Sequence, residues 1–162
     1  MKRLINVFLV LLLVMGLFGC SEKTTTHTID KLTIVIPSKY EFEEIETDVY
    51  DKCLYDGETD VALWVKHYDT EWLSDNGYSD FTLEDIGYNI GKGNEILSEG
   101  LDGDVYVKSY VAQEGDFDVF KYANIYQKSD GYWIIILDCL EKDKDTYQSQ
   151  FDEWFKTVNI AD

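Results

Sequence analysis

The chain has 162 residues, 15% of them aromatic, a single proline and a formal net charge of −18 at pH 7. A chain of about that length buries close to 70% of the surface it exposes when unfolded, so one core without staples is within reach. The acidity excludes nucleic acid, whose phosphates are held by clustered Lys and Arg, and it opposes adhesion to anionic headgroups.

Lys2 and Arg3 precede residues 4–18, which are apolar apart from Asn6 and Gly16. That pattern matches the charged and hydrophobic regions of an export signal. The run falls short of the roughly 20 residues a helix needs to cross ~30 Å of hydrocarbon, so an uncleaved anchor is the weaker reading. At its end, Leu17-Phe18-Gly19-Cys20 resembles the lipobox of bacterial lipoproteins, with Phe18 bulkier than the usual middle residue. The resemblance implies a signal peptide over residues 1–19, cleavage ahead of Cys20, and diacylglycerol on its thiol. Each buried acyl CH₂ contributes about 0.8 kcal/mol and a stable anchor takes more than one chain, palmitate being a typical acyl group. Residues 21–30 are almost wholly polar and lack an apolar period, so residues 20–30 read as the lipidated Cys and a flexible spacer. Residues 31–162 then form one globular domain on the extracytoplasmic face of the cell membrane.

Within that domain Leu32–Pro37 reads as a strand closed by its proline. Residues 49–55 and 61–68 are β-rich and flank Asp56-Gly57, which predicts a hairpin, and Asp75-Asn76-Gly77 marks a turn. Thr82 is placed to cap a short helix, with Glu84 and Asp85 in its first turn, Phe81 stapled onto Ile86, and Gly91 and Gly93 to end it. Residues 104–112, 118–127 and 132–140, joined by short Gly-containing links, predict an antiparallel meander. In the third segment Trp133, Ile135, Leu137 and Cys139 point one way and Tyr132, Ile134, Ile136 and Leu140 the other, so this strand is expected to be central and covered on both faces. Asp143 or Asp145 is expected to cap a last amphipathic helix whose stripe is Tyr147, Phe151, Trp154, Phe155 and Val158. With one helix after the hairpin and another after the meander, the expected fold class is α+β: a three-layer α/β/α sandwich with a mainly antiparallel sheet.

The stretches LTIVIPSKY and GYWIIILDCLEKDKDTYQSQFDEWFKTVNI resemble the PsbP-like fold, shared by the photosystem accessory protein PsbP, the bacterial lipoprotein DcrB and a nuclear-transport factor. The resemblance implies an extracytoplasmic binding or assembly-factor domain with no common active site, and no catalytic residue transfers from it.

The chemistry-bearing residues are sparse. Cys53 and Cys139 are the candidate disulfide pair; two buried, inert thiols are the other reading. His27 and His67 are the sole histidines and form no zinc pattern with the cysteines, so neither a metal nor any cofactor beyond the lipid on Cys20 is expected. The leading expectation is a non-enzymatic lipoprotein whose partners are the membrane, through its anchor, and an unidentified envelope component. The alternatives are a surface hydrolase using carboxylates or a Cys–His pair with His67, and a calcium-dependent module built on Asp56–Asp60, Asp102–Asp104 or Glu114–Asp118.

Overall fold

The computed structural model of the chain describes residues 23–161; Cys20 and the expected signal peptide lie outside them. The spacer expectation is corrected from Thr24 onward. Thr24–Ile29 is a strand, β1, paired antiparallel with β2 (Leu32–Pro37) from Thr24↔Pro37 to Ile29↔Leu32. Its threonines are β-branched and suit a pleated surface, but only Ile29 is buried, so no apolar alternation reveals the strand in sequence. Asp30 makes the tight turn with φ 52°, a left-handed conformation that Asp tolerates better than most residues.

The short β3 (Glu43–Ile45) precedes β4 (Lys52–Asp56) and β5 (Val61–Asp69). The expected hairpin is there, but its first strand begins at Lys52, because the N–H groups of Val49 and Tyr50 turn aside to donate to Thr47 Oγ1. Residues 75–77, expected as a simple turn, instead close a helix that the sequence reading missed. This is α1 (Thr70–Asp75), capped by the Asp69 carboxylate, which accepts from Trp72 N at 2.7 Å. The second helix, α2 (Leu83–Asn89), starts as expected. Thr82 and Asp85 form a reciprocal capping box, and Gly91 follows the helix with φ 65°.

The meander is β6 (Glu95–Asp102), β7 (Val105–Glu114), β8 (Phe117–Lys128) and β9 (Gly131–Leu140). Two of its turns have two residues with glycine first, Gly103 at φ 60° and Gly115 at φ 62°, the arrangement that matches strand twist. Strand β6 was missed in sequence because it is an edge strand, nearly all exposed, whose chief support is its pairing with β7. A 3₁₀ turn over Glu141–Asp143 leads into α3 (Lys144–Phe155), and Asn159–Ile160 forms β10. Asp143 stands at the N-cap position of α3 but makes no side-chain cap hydrogen bond, since its backbone, at φ −102° and ψ 2°, lacks the extended conformation of a capping residue.

The large sheet has the order β3-β4-β5-β9-β8-β7-β6, antiparallel throughout, and a small sheet has the order β1-β2-β10. As expected, β9 is central and apolar on both faces. On one face Trp133, Ile135, Leu137 and Cys139 join Phe151, Trp154 and Phe155 of α3 and Leu32, Ile34 and Ile36 of β2. On the other, Tyr132, Ile134 and Ile136 meet Leu73 of α1 and Ile86 of α2. The α+β sandwich is therefore built as expected, with one addition: the small sheet shares the α3 layer.

Candidate functional site

Asp138 lies on the face of β9 that carries Tyr132, Ile134 and Ile136, yet it is a carboxylate only 4% exposed. Register explains how it is held. Across the sheet it opposes Ala62 of β5, whose small side chain leaves room, and Lys121 of β8. Lys121 Nζ donates to Asp138 Oδ2 at 2.8 Å, Trp64 Nε1 donates to the same oxygen at 2.7 Å, and Lys121 also pairs with Glu114 Oε1 at 2.8 Å. The ammonium stands 5.2 Å from the centre of the Trp64 ring, a cation–π distance.

At an effective dielectric of about 20, two charges 2.8 Å apart attract by roughly 6 kcal/mol, comparable with the several kcal/mol that desolvating each ion costs. The added hydrogen bonds and the second carboxylate therefore decide the balance. Burial by itself lowers the Lys121 pKa, but Asp138 and Glu114 outweigh it and hold the ammonium well above the ordinary lysine range.

The cluster forms the back of a half-open cleft of about 270 Å³ at the end of the sheet where the β4–β5 and β7–β8 turns meet. Tyr55, Ala62, Trp64, Val119 and Leu140 give it apolar walls, and Asp60 and Glu114 add carboxylates. Phe117, 62% exposed, stands at this cleft beside the turn. A concave, mainly apolar site with a few convergent polar groups is what a ligand or an anchoring side chain of a partner requires. A second, aromatic pocket of about 280 Å³ lies at the helices, where Trp72 stacks on Tyr68 at 4.4 Å and on Tyr78 at 5.7 Å, but it carries no buried charge among the described residues.

The two candidate thiols are not brought together. Cys53 is in register with Trp64 and, through it, with Ile136, on the helix α1/α2 face; Cys139 belongs to the opposite face. With β5 between them, two strand spacings alone come to about 9.6 Å, beyond the ~7 Å a disulfide tolerates between α-carbons. Both thiols are free and buried. Burial and the nearby Asp138 charge push Cys53 up to about 11 and Cys139 up to about 12.

Neither thiol meets His67, which lies opposite Trp133 and stacks on it at 4.1 Å, with Asp130 Oδ1 3.7 Å from its Nε2. Cys139 is roughly 20 Å further along β9, and Cys53 is on the other face. His27 packs edge-on against Phe42 at 5.4 Å, and burial lowers its pKa.

Of the acidic loops proposed for calcium, residues 102–104 form the turn between β6 and β7, and the other two have carboxylates engaged internally. Asp56 accepts from Glu58 N and Thr59 Oγ1, Tyr55 donates to Asp60, and Glu114 holds Lys121. Among the described residues no group of three or more His, Cys, Asp or Glu side chains is placed to hold a metal.

Sequence reasoning missed Trp64, Lys121, Asp138 and Phe117. The signal was available: Asp138 is the one charge inside an otherwise apolar central strand, and a buried charge needs a partner of opposite sign.

No protein-family model and no curated protein matches this sequence. Solved structures do. Cyanobacterial PsbP (CyanoP) from Synechocystis is 17% identical, with TM-score 0.58 over 89% of this chain and 95% of that one. The Ran-binding protein Mog1p of Saccharomyces cerevisiae is 12% identical, with TM-score 0.54 over 88% of this chain and 97% of that one. The fold is thus PsbP-like, as its terminal stretches suggested.

Proposed function

We propose that this chain is a lipid-anchored, extracytoplasmic binding module, cut ahead of Cys20 and holding an envelope partner through its folded domain. The observation that carries the binding half is the cleft behind Phe117: an exposed aromatic ring beside apolar walls and a fixed buried ion pair. Its environment favours recognition over reaction, because the lysine is held protonated and Cys139, the thiol among the described residues lining the cleft, is pushed up to about 12. The fold is compatible with protein recognition, as one chain that shares it is a Ran-binding protein.

The anchoring half rests on Leu17-Phe18-Gly19-Cys20. If the lipid is there, the strand beginning at Thr24 limits the tether from Cys20 to about 14 Å even when fully extended, so the domain stands close against the membrane. The test is radiolabelled palmitate incorporation and membrane fractionation of the wild type and Cys20→Ser. The wild type is expected to take up label and sediment with membranes, and the variant to lose both; a variant that is equally membrane-bound and unprocessed sinks the anchor.

A further inference from the structure

Helix α3 covers β2, β8 and β9 but leaves a groove of about 550 Å³ between itself and the strip of sheet formed by β7 and β8. Its floor is Val105 and Val107 of β7 and Asn124 and Tyr126 of β8. Val105 and Val107 are only half-buried, although they lie on a face that elsewhere is closed by a helix.

Asn124 is the informative residue. Its side chain is 8% exposed, its Nδ2 donates to the Tyr126 hydroxyl at 3.3 Å, and its Oδ1 is buried with no hydrogen-bond partner among the described residues. Buried amide oxygens are nearly always paired; this one lies just beneath the groove surface and meets an incoming donor when the amide turns toward the groove.

The rim defines the donor's charge. Asp102 stands on the sheet side and Asp152 and Glu153 on the α3 side, and Lys156, the one cation among the described lining residues, already pairs with Glu153. Tyr122 donates to Asp152 at 2.7 Å and so holds that carboxylate toward the sheet. An apolar floor between acidic walls suits an apolar segment that carries positive charge. A second copy of this chain, at formal charge −18, meets the same walls with repulsion.

We propose that the groove beside α3 docks an extended, basic segment of a partner protein. Apolar side chains on one side of that segment rest on Val105 and Val107, a backbone or side-chain N–H pairs with Asn124 Oδ1, and Lys or Arg on the other side meets Asp102, Asp152 and Glu153. Alternation of side chains along an extended chain delivers both faces at once. The proposal rests on the binding-module reading and adds a second site, apart from the cleft behind Phe117, together with the partner's chemistry.

The test uses the full-length chain in detergent and two blocked peptides as probes, one alternating Val with Lys or Arg and one alternating Val with Glu. Binding is read by titration calorimetry at low and high salt and by the shift of the Asn124 side-chain amide signal in NMR. The basic peptide is expected to bind, to shift that signal, and to weaken with salt, while the acidic peptide does not bind.

Asp102→Asn/Glu153→Gln, which alters exposed rim positions, is expected to weaken binding about tenfold, equivalent to about 1.4 kcal/mol, with an unchanged melting temperature. Asn124→Leu, which keeps the shape but removes the acceptor, is the second variant and is expected to weaken basic-peptide binding while retaining basic selectivity; undiminished binding overturns the contact to Asn124. No binding, equal binding of both peptides, or self-association in place of peptide binding overturns the proposal. Binding that survives the rim variant but disappears in Phe117→Ser also overturns it, and in that case leaves the binding-module reading standing at the cleft.

Discussion

Lys121 and Asp138 carry opposite charges into the interior, and each is held there by the other together with Glu114 and Trp64. Removing one partner of such a pair strands a buried charge, which costs about 3–5 kcal/mol, whereas replacing both with apolar side chains is often near neutral. Lys121→Met is therefore expected to lower unfolding free energy by about 3–5 kcal/mol in urea titration, and Lys121→Met/Asp138→Leu to recover most of that loss. A double variant as unstable as the single one would show that the pair is not what the site turns on. Both residues were legible in sequence only as charges in the wrong place. Which strand neighbour answers Asp138 depends on the register of β8 against β9, and no local pattern in either strand contains it.

Among the elements, α2 shows a local preference reversed by packing. Gly87 is in the helix interior, where alanine is ordinarily favoured over glycine by about 1 kcal/mol. A Cβ there, however, would stand 2.2 Å from the Tyr106 ring of β7, and one on Gly91 would stand 2.7 Å from the Tyr110 ring. Glycines four apart thus seat the helix and its exit on tyrosines four apart on the strand. Gly87→Ala is predicted to destabilise by about 1–3 kcal/mol despite the gain in helix propensity, because overpacking outweighs it. Thermal unfolding followed by circular dichroism reads the sign directly, and a raised melting temperature contradicts the packing account. The buried Lys108 ammonium adds to this seat by donating to the carbonyls of Gly87 at 3.4 Å and Tyr88 at 3.2 Å, where the end of a helix welcomes a cation.

At the scale of the molecule, alkaline pH works against the interior, because buried groups hold their protons above their ordinary values. The folded state keeps Cys53 and Cys139 protonated up to about 11 and about 12, above their ordinary 9.0, and burial also pushes Tyr110 upward. A group that binds its proton more tightly when folded contributes stability that is intact below its unfolded pKa and is lost as pH rises through its folded value. Melting temperature is expected to hold up to about pH 9 and then to fall steeply toward pH 11–12, with a shallower fall in Cys53→Ala/Cys139→Ala. An identical alkaline slope in that variant would remove the thiols as its cause.

By itself the sequence determined whatever depends on neighbours along the chain. The alternation in Tyr132–Leu140 made β9 central, Thr82 with its acidic successors began α2, and the stripe ending in Trp154 and Phe155 laid α3 on the sheet. Each is a periodicity or a cap, written within a few residues. The tertiary structure alone decided β1 and β6, whose residues are mostly exposed and whose strand geometry rests on pairing with β2 and β7. It decided equally that Cys53 and Cys139 stand on opposite faces, that Lys121 answers Asp138, and that Asn124 buries an oxygen without a partner among the described residues beside α3. Strand order and register bring these groups together or hold them apart, and both are set by contacts between residues far apart along the chain.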